Sequence, residues 1–129
     1  MVTLHDVESA AERIKPYVVR TPMERSALLS ELAHTDVWLK FECFQLTGSF
    51  KLRGALNALQ LLGARGANVV TASAGNHGLG VARAAALLGA EATVVVPETG
   101  RRIRSVERCM TARRGSVTVQ LVTVSALAP

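Results

Sequence analysis

Aromatic residues are scarce in this chain: they make up 4% of its 129 residues, and none follows Phe50. Without aromatic side chains to stack on bases, the basic end of the chain is a poor candidate for a nucleic-acid-binding surface. Cysteine is scarce as well, because Cys43 and Cys109 stand far apart, with no CxxC pair and no histidine at zinc-ligand spacing. We therefore expect no bound metal, no nucleic-acid partner and reduced thiols, as in a cytoplasmic protein.

Long apolar runs are also missing. The apolar stretches 84–97 and 117–129 are shorter than the roughly 20 residues that a transmembrane helix needs, and Glu91 interrupts the first. The N-terminus lacks the apolar core of a secretory signal, since Met1 leads directly into a polar, acidic segment. We expect a soluble protein with no membrane partner.

The net charge of +5 comes entirely from the end of the chain. Residues 1–100 contain nine Lys and Arg against nine Asp and Glu, whereas residues 101–129 contain six Arg and one Glu. This abrupt change predicts that the arginine-rich tail, residues 101–129, does not share the evolutionary origin of residues 1–100, as a frameshift or a premature stop would produce. The alternative is a divergent ending that packs as a helix and a strand over Val117–Val124.

Hydrophobic periodicity and capping residues predict four helices. The first begins after Thr3, and the second, a short one, begins after Ser26. The third covers Phe50–Leu62 and places apolar positions on one face, at 52, 55, 56, 59 and 62. The fourth starts in the small polar segment after residue 73 and ends with Gly89 as its C-cap.

Three short segments have the apolar pattern of strands, at residues 37–42, 68–72 and 91–96. Their alternation with the helices predicts an α/β fold, a three-layer arrangement of a parallel sheet with covering helices and right-handed crossovers. In such sheets ligands bind beyond the carboxyl ends of the strands. Thr47–Gly54 and Ser73–Gly80 follow predicted strands and are therefore the candidate site.

Lys51 is the most suggestive residue of the first segment. It stands at the start of a predicted helix, after the turn-forming Gly48-Ser49 pair and next to Phe50. The helix dipole and partial burial would disfavour its charged form, and a neutral amine can condense with a carbonyl compound to a Schiff base. The alternative is an ordinary helix start, with Ser49 as the N-cap and with Lys51 and Arg53 solvated.

The second segment is small, polar and placed at a helix N-terminus, with the sequence Ser73-Ala74-Gly75-Asn76-His77-Gly78. Its backbone N–H groups and the Ser73 hydroxyl would suit a carboxylate or a phosphate. The alternative is a tight strand-to-helix turn in which Gly75 has a positive φ and Ser73 caps the helix. The glycine spacing is too loose for a dinucleotide-binding fingerprint.

Two motifs in this order resemble the fold-type II pyridoxal-phosphate enzymes, in particular the branch of threonine dehydratase (threonine ammonia-lyase), the serine dehydratases and the racemases. The first motif is Phe41-Glu42-x-x-Gln45-x-Thr47-Gly48-Ser49-Phe50-Lys51-x-Arg53-Gly54-Ala55, and the second is Thr71-Ala72-Ser73-Ala74-Gly75-Asn76-His77-Gly78. Arg20-Thr21-Pro22, Leu29-Ser30 and Leu39-Lys40-Phe41-Glu42 fit the same branch, so the resemblance runs from about Thr3 to Glu98.

The resemblance implies a role for each matching residue, with pyridoxal 5′-phosphate as the cofactor and an amino acid as the substrate. Lys51 would bind the cofactor as a Schiff base and move the substrate's α-proton, Phe50 would pack against the pyridine ring, and Asn76 would hydrogen-bond the 3′-oxygen. The substrate carboxylate would lie on the loop of Ser73, Ala74, Gly75, Asn76 and His77, mainly on Ser73, Gly75 and backbone amides. His77 has no clear catalytic task.

Ala74 narrows the implied reaction. In racemases that resemble this branch the same position carries a second serine, whose hydroxyl returns a proton to the opposite face, and alanine has no such proton. The resemblance therefore favours β-elimination from threonine or serine, which gives a 2-oxo acid and ammonia, the reaction of an ammonia-lyase. A serine racemase-like enzyme and a non-catalytic remnant that binds an amino acid or the cofactor are the alternatives.

The resemblance also divides the chain into three parts. Residues 1–35 would be a helical segment belonging to the family's large domain, residues 36–100 the α/β domain with the lysine and the asparagine loop, and residues 101–129 the arginine-rich tail. Family members are oligomers and continue into a larger domain whose glycine-rich loop holds the cofactor phosphate, whereas no glycine cluster follows Gly100 here. We therefore expect a truncated member, mostly the small N-terminal domain, with weak cofactor affinity and impaired activity.

Overall fold

The computed structural model of the chain describes residues 1–97 and 117–122. The α-helices within these residues are α1 (Leu4–Ile14), α2 (Ala27–Ala33), α3 (Lys51–Leu61) and α4 (Asn76–Leu88). The strands are β1 (Met23–Arg25), β2 (Trp38–Lys40), β3 (Asn68–Ala72), β4 (Glu91–Pro97) and β5 (Val117–Val122). Short 3-10 helices cover Lys15–Tyr17 and Glu42–Phe44.

Capping contacts confirm the predicted helix ends. Thr3 Oγ1 accepts a hydrogen bond from Asp6 N (3.3 Å) and Asp6 Oδ2 accepts one from Thr3 N (2.8 Å), which forms a capping box for α1. Ser26 Oγ accepts a hydrogen bond from Leu29 N (3.3 Å) at the start of α2. Gly89 ends α4 with φ +70°, a left-handed conformation that favours glycine.

The parallel sheet consists of β3, β4 and β5 in that order, with Val70 opposite Thr93 and Val94 opposite Val119. The strand that the alternative interpretation placed at Val117–Val124 is therefore present over Val117–Val122, where it extends the same sheet. The helix expected before it and the boundary expected at residue 100 lie outside the described residues. The separate origin of residues 101–129 stays a prediction.

Residues 37–42 do not join this sheet, so the prediction of a parallel strand there is wrong. Instead β2 pairs antiparallel with β1 in a separate two-stranded sheet. Hydrogen bonds from Phe41 N to Pro22 O (3.0 Å) and from Ser26 N to Val37 O (2.9 Å) lie at the two ends of this pairing. An apolar pattern indicates a strand but not its partner, and here a segment close in sequence provides it.

The core lies where the helices meet the parallel sheet: α4 packs on β3 and β4, α3 packs on α4, and α1 packs on α3. Leu52, Leu56 and Val94 are completely buried there. Leu62, expected on the same face as Leu52, is instead 78% exposed, because it follows the last turn of α3 as its C-cap. The predicted α/β fold, a parallel sheet with covering helices, is confirmed.

Candidate active site

Lys51 is the first residue of α3, and its side chain is exposed. Its Nζ lies 4.8 Å from the ring centroid of Phe50, and no carboxylate among the described residues pairs with it. The other two lysines of the chain, Lys15 and Lys40, each lie beside a glutamate oxygen, at 3.1 and 3.8 Å. The expected partial burial of Lys51 is wrong, because α3 begins at the surface. The amine of Lys51 nevertheless forms no ion pair with an acid among the described residues.

The residues around Lys51 do not form the ordinary helix start that was the alternative. Phe50, not Ser49, is the N-cap of α3, and it makes no side-chain capping hydrogen bond. Ser49 is 7% exposed, and its Oγ has no hydrogen-bond partner among the described residues. Arg53 is paired with a carboxylate rather than solvated, as described below. Only the solvated Lys51 agrees with that alternative.

The Ser73–His77 loop joins the carboxyl end of β3 to α4. Ser73 N donates a hydrogen bond to Val95 O (3.0 Å), which fixes the loop to the neighbouring strand. Gly75 is the N-cap of α4 with φ −134°, so the alternative of a tight turn with a positive φ at Gly75 is wrong. Ser73 Oγ accepts a hydrogen bond from Gly75 N (3.2 Å) instead of capping the helix. Asn76 and His77, the first residues of α4, are exposed.

Two glycines of α4 allow its backbone to approach its neighbours closely. A Cβ atom at Gly80 would lie 3.0 Å from the carbonyl carbon of Lys51 and 3.1 Å from the amide nitrogen of Leu52. A Cβ atom at Gly78 would lie 2.8 Å from Ser73 O. A side chain at Gly80 would therefore push away the first turn of α3, and one at Gly78 would push away Ser73, the residue after β3. The contact at Gly80 brings the lysine segment against the helix that follows the asparagine loop.

A pocket of about 380 Å³ lies between α3, β3 and α4. Phe50, Lys51 and His77 line it. Its other walls are mostly small or apolar, formed by Gly54, Ala55, Ala58, Leu59, Val69, Val70, Thr71 and Val81. The remaining predicted residues, Ser73, Ala74, Gly75 and Asn76, do not line this pocket. The structure thus brings Phe50, Lys51 and His77 to one cavity and leaves the other four beside it, on the loop that leads into α4.

Glu42 forms an ion pair that sequence reasoning missed. Arg53 donates two hydrogen bonds to its carboxylate, from Nε to Oε2 and from Nη2 to Oε1, both 2.8 Å long. The buried Thr21 hydroxyl donates a third to Oε1 (2.6 Å), and Lys40 Nζ lies 3.8 Å from the same oxygen. Both Glu42 and Arg53 stand in the first motif, but their separation in sequence gives no sign that they pair.

A buried amide completes the network around this ion pair. Gln45 Oε1 accepts a hydrogen bond from Val19 N and Gln45 Nε2 donates one to Val19 O, each 3.0 Å long. Arg53 Nη2 donates to the same Val19 carbonyl (3.0 Å). The extended segment before β1, the 3-10 helix after β2 and the first turn of α3 are therefore held by one set of polar side chains.

Comparison with known proteins agrees with the motifs. A family profile for "Pyridoxal-phosphate dependent enzyme" matches residues 14–117, most of the chain. The chain belongs to this family.

Its relatives include a catabolic L-threonine dehydratase of Staphylococcus aureus, 47% identical over 102 residues, which are 77% of this chain and 30% of that enzyme. Serine racemase from Dictyostelium discoideum superposes with a TM-score of 0.79 at 33% identity, covering 97% of this chain and 40% of that one. The threonine deaminase of T.th. gives 0.75 at 37% identity, with 97% and 38% covered. This pyridoxal-phosphate enzyme chain therefore spans less than half the length of each of these relatives.

The residues at the start of α3 and α4 fit pyridoxal phosphate, the cofactor of this family. Lys51 offers an amine that no described acid engages, and the Phe50 ring beside it is 58% exposed. Neither helix has a side-chain cap, so the N-termini can take a negatively charged group. The hydroxyl of Ser49, next to Phe50, is a further donor without a partner among the described residues.

Three other features concern metal-binding groups, membrane-spanning helices and the cysteines. In residues 1–97 and 117–122, no three His, Cys, Asp or Glu side chains form a group that could hold a metal ion. No helix of that part of the chain has the length and apolar character to cross a membrane. Cys43 is an exposed free thiol, whereas Cys109 and the arginines after residue 100 lie outside the described residues.

The pKa of Glu42 predicts how stability depends on pH. The hydrogen bonds from Arg53, opposed by burial and aided by Thr21, lower this pKa from 4.5 to about 2. The network therefore stabilises the fold above pH 4.5, and this contribution is lost as the pH falls through 2. At pH 7 we expect Glu42→Gln to lower the free energy of unfolding by about 2 kcal/mol, measured by urea denaturation.

The control for this prediction is Asp36→Asn, which removes the exposed Arg25–Asp36 pair (2.7 Å) and should have a much smaller effect. The difference between wild type and Glu42→Gln should shrink steadily as the pH is lowered from 5 towards 2. Parallel pH profiles of the two proteins would contradict the assignment.

Proposed function

We propose that the chain carries the lysine part of a pyridoxal-phosphate site that eliminates the β-hydroxyl group of threonine or serine, giving a 2-oxo acid and ammonia. The observation that carries this proposal is the position of Lys51. Its amine has no acidic partner among the described residues. The contact at Gly80 also brings the helical turn of Lys51 against α4, the helix that follows the loop of residues 73–77.

Each residue of the proposed site would bind the cofactor or the substrate, orient one of them, or move a proton. Pyridoxal phosphate, when bound, supplies an electron sink for the charge that develops at the substrate's α-carbon. Lys51 Nζ would hold the cofactor covalently, and as a free amine it would accept the substrate's α-proton. Phe50 would pack on the cofactor ring, and the Asn76 amide would donate a hydrogen bond to the 3′-oxygen of the cofactor. Ser73, with the backbone N–H groups of the loop through Ala74, Gly75 and His77, binds the substrate carboxylate.

The relatives support this reaction and one competing reaction. A threonine dehydratase and a threonine deaminase among them favour elimination, whereas a serine racemase superposes with a slightly higher TM-score (0.79 against 0.75) at lower identity (33% against 37%). Ala74 favours elimination, because its methyl group cannot return a proton to the other face of the substrate. A cytoplasmic location is part of the same proposal, since Cys43 is an exposed free thiol.

Cofactor attachment can be located directly, because the chain has only three lysines. We expect treatment with excess pyridoxal phosphate and then borohydride to label Lys51 ahead of Lys15 and Lys40, since a nearby glutamate occupies each of those two amines. Peptide mapping by mass spectrometry measures the three yields. Lys51→Ala should lose the main label, and Lys15→Ala, the control, should keep it. Equal labelling of all three lysines would contradict the proposed site.

The reaction itself is tested with L-threonine and L-serine in the presence of added cofactor. We expect 2-oxo acid to form at a low rate, none from Lys51→Ala, and no D-amino acid from the wild-type chain. Ala74→Ser should allow some D-serine to form, because it supplies a hydroxyl proton on the opposite face. Chiral chromatography of the amino acid detects it. D-serine from the wild-type chain would instead support the racemase alternative, and cofactor labelling without any 2-oxo acid would support a non-catalytic remnant.

A further inference from the structure

We propose that Glu42 is a positioning residue for Lys51, acting through Arg53 across the first turn of α3. The proposal rests on the function proposed for Lys51. It concerns the placement of the lysine amine and not only the stability of the fold.

The first turn of α3 begins without a side-chain cap. Its N-cap, Phe50, makes no side-chain capping hydrogen bond, and the turn's own backbone bond runs from Arg53 N to Phe50 O (3.0 Å). Arg53 stands two residues after Lys51 in the same turn. Its two parallel hydrogen bonds to Glu42 fix the plane of the guanidinium group, which a single contact would not do.

Glu42 is itself well fixed. Its side chain is 15% exposed, and it accepts a 2.6 Å hydrogen bond from the buried Thr21 hydroxyl. Arg53 also reaches the carbonyl of Val19, a residue that Gln45 holds at both its N–H and its C=O. A shift of the turn would therefore break hydrogen bonds to two other segments of the chain.

The position of Lys51 is determined from two sides. On one side Gly80 of α4 lies against the Lys51 carbonyl, and on the other side Arg53 is drawn towards Glu42. Burial keeps α3 packed independently of Glu42, because Leu52 of the first turn and Leu56 of the next are completely buried. Loss of the Glu42 carboxylate should therefore leave the helix packed and loosen only the backbone of its first turn at Lys51 and Arg53.

The test compares Glu42→Gln with wild type by cofactor labelling. The measured quantity is the yield at Lys51 divided by that at Lys15, which keeps its own glutamate partner in both proteins. We expect this ratio to fall about tenfold, as the loss of one charged hydrogen-bonded pair would give. Arg53→Lys, which keeps the charge but not the paired bonds, should fall similarly. Asp36→Asn should leave the ratio unchanged.

A second readout needs no cofactor. Amide hydrogen exchange at Arg53, whose N–H bonds to Phe50 O, should accelerate about tenfold in Glu42→Gln, while exchange at the buried Leu56 stays slow. If the wild type prefers Lys51 and both variants keep that preference, the proposal is overturned and the proposed function stands. If the wild type has no preference but Arg53 exchange still accelerates, the proposed function fails and the structural link survives.

Discussion

The backbone contact between α4 and the first turn of α3 is the constraint on which the candidate site depends. The Gly80 backbone lies so close to Lys51 and Leu52 that no Cβ atom would fit without a shift. Because α4 begins with Asn76, directly after the Ser73–Gly75 turn, this contact places the lysine of one motif beside the loop of the other. Two segments that are well separated in sequence thereby lie next to each other, and Lys51 and His77 line one pocket.

The ion pair between Glu42 and Arg53 also holds the first turn of α3. Glu42 accepts three hydrogen bonds from Arg53 and Thr21, and this arrangement keeps the carboxylate ionised over the whole neutral range, with a pKa of about 2. The cation of Arg53 is thereby paired, while the cation of Lys51 is left without an acid among the described residues. Two cations that stand two residues apart therefore differ, since Arg53 is paired with Glu42 and Lys51 has no carboxylate partner among the described residues.

Local chemistry made much of this structure predictable from sequence. The capping residues Thr3 and Ser26 and the C-cap Gly89 act within a few residues, and each of these helix ends was found where it was expected. The apolar pattern of residues 37–42 gave a strand but not its partner, because hydropathy records which face is buried and not what lies beside an edge. That segment paired with β1 instead of the parallel sheet.

The sequence names residues for the candidate site but does not give their geometry. Lys51, Phe50 and the Ser73–His77 loop were recognisable from their motifs, but the exposure of Lys51 and the negative φ of Gly75 were not. Gly80 carries no sequence signal beyond weak helix propensity, since its role depends on a neighbour from another helix. The partnership of Glu42 and Arg53 likewise exists only after the chain has folded.

The most direct test of the Gly80 contact is the free energy of unfolding of two glycine-to-alanine variants. Gly54 and Gly80 both lie in helices, so helix propensity alone predicts that alanine stabilises each by up to about 1 kcal/mol. Nothing lies within 4 Å of a Cβ atom at Gly54, whereas one at Gly80 would meet backbone at 3.0 Å. The account predicts a gain for Gly54→Ala and a loss of about 1–3 kcal/mol for Gly80→Ala. A gain for both would contradict it.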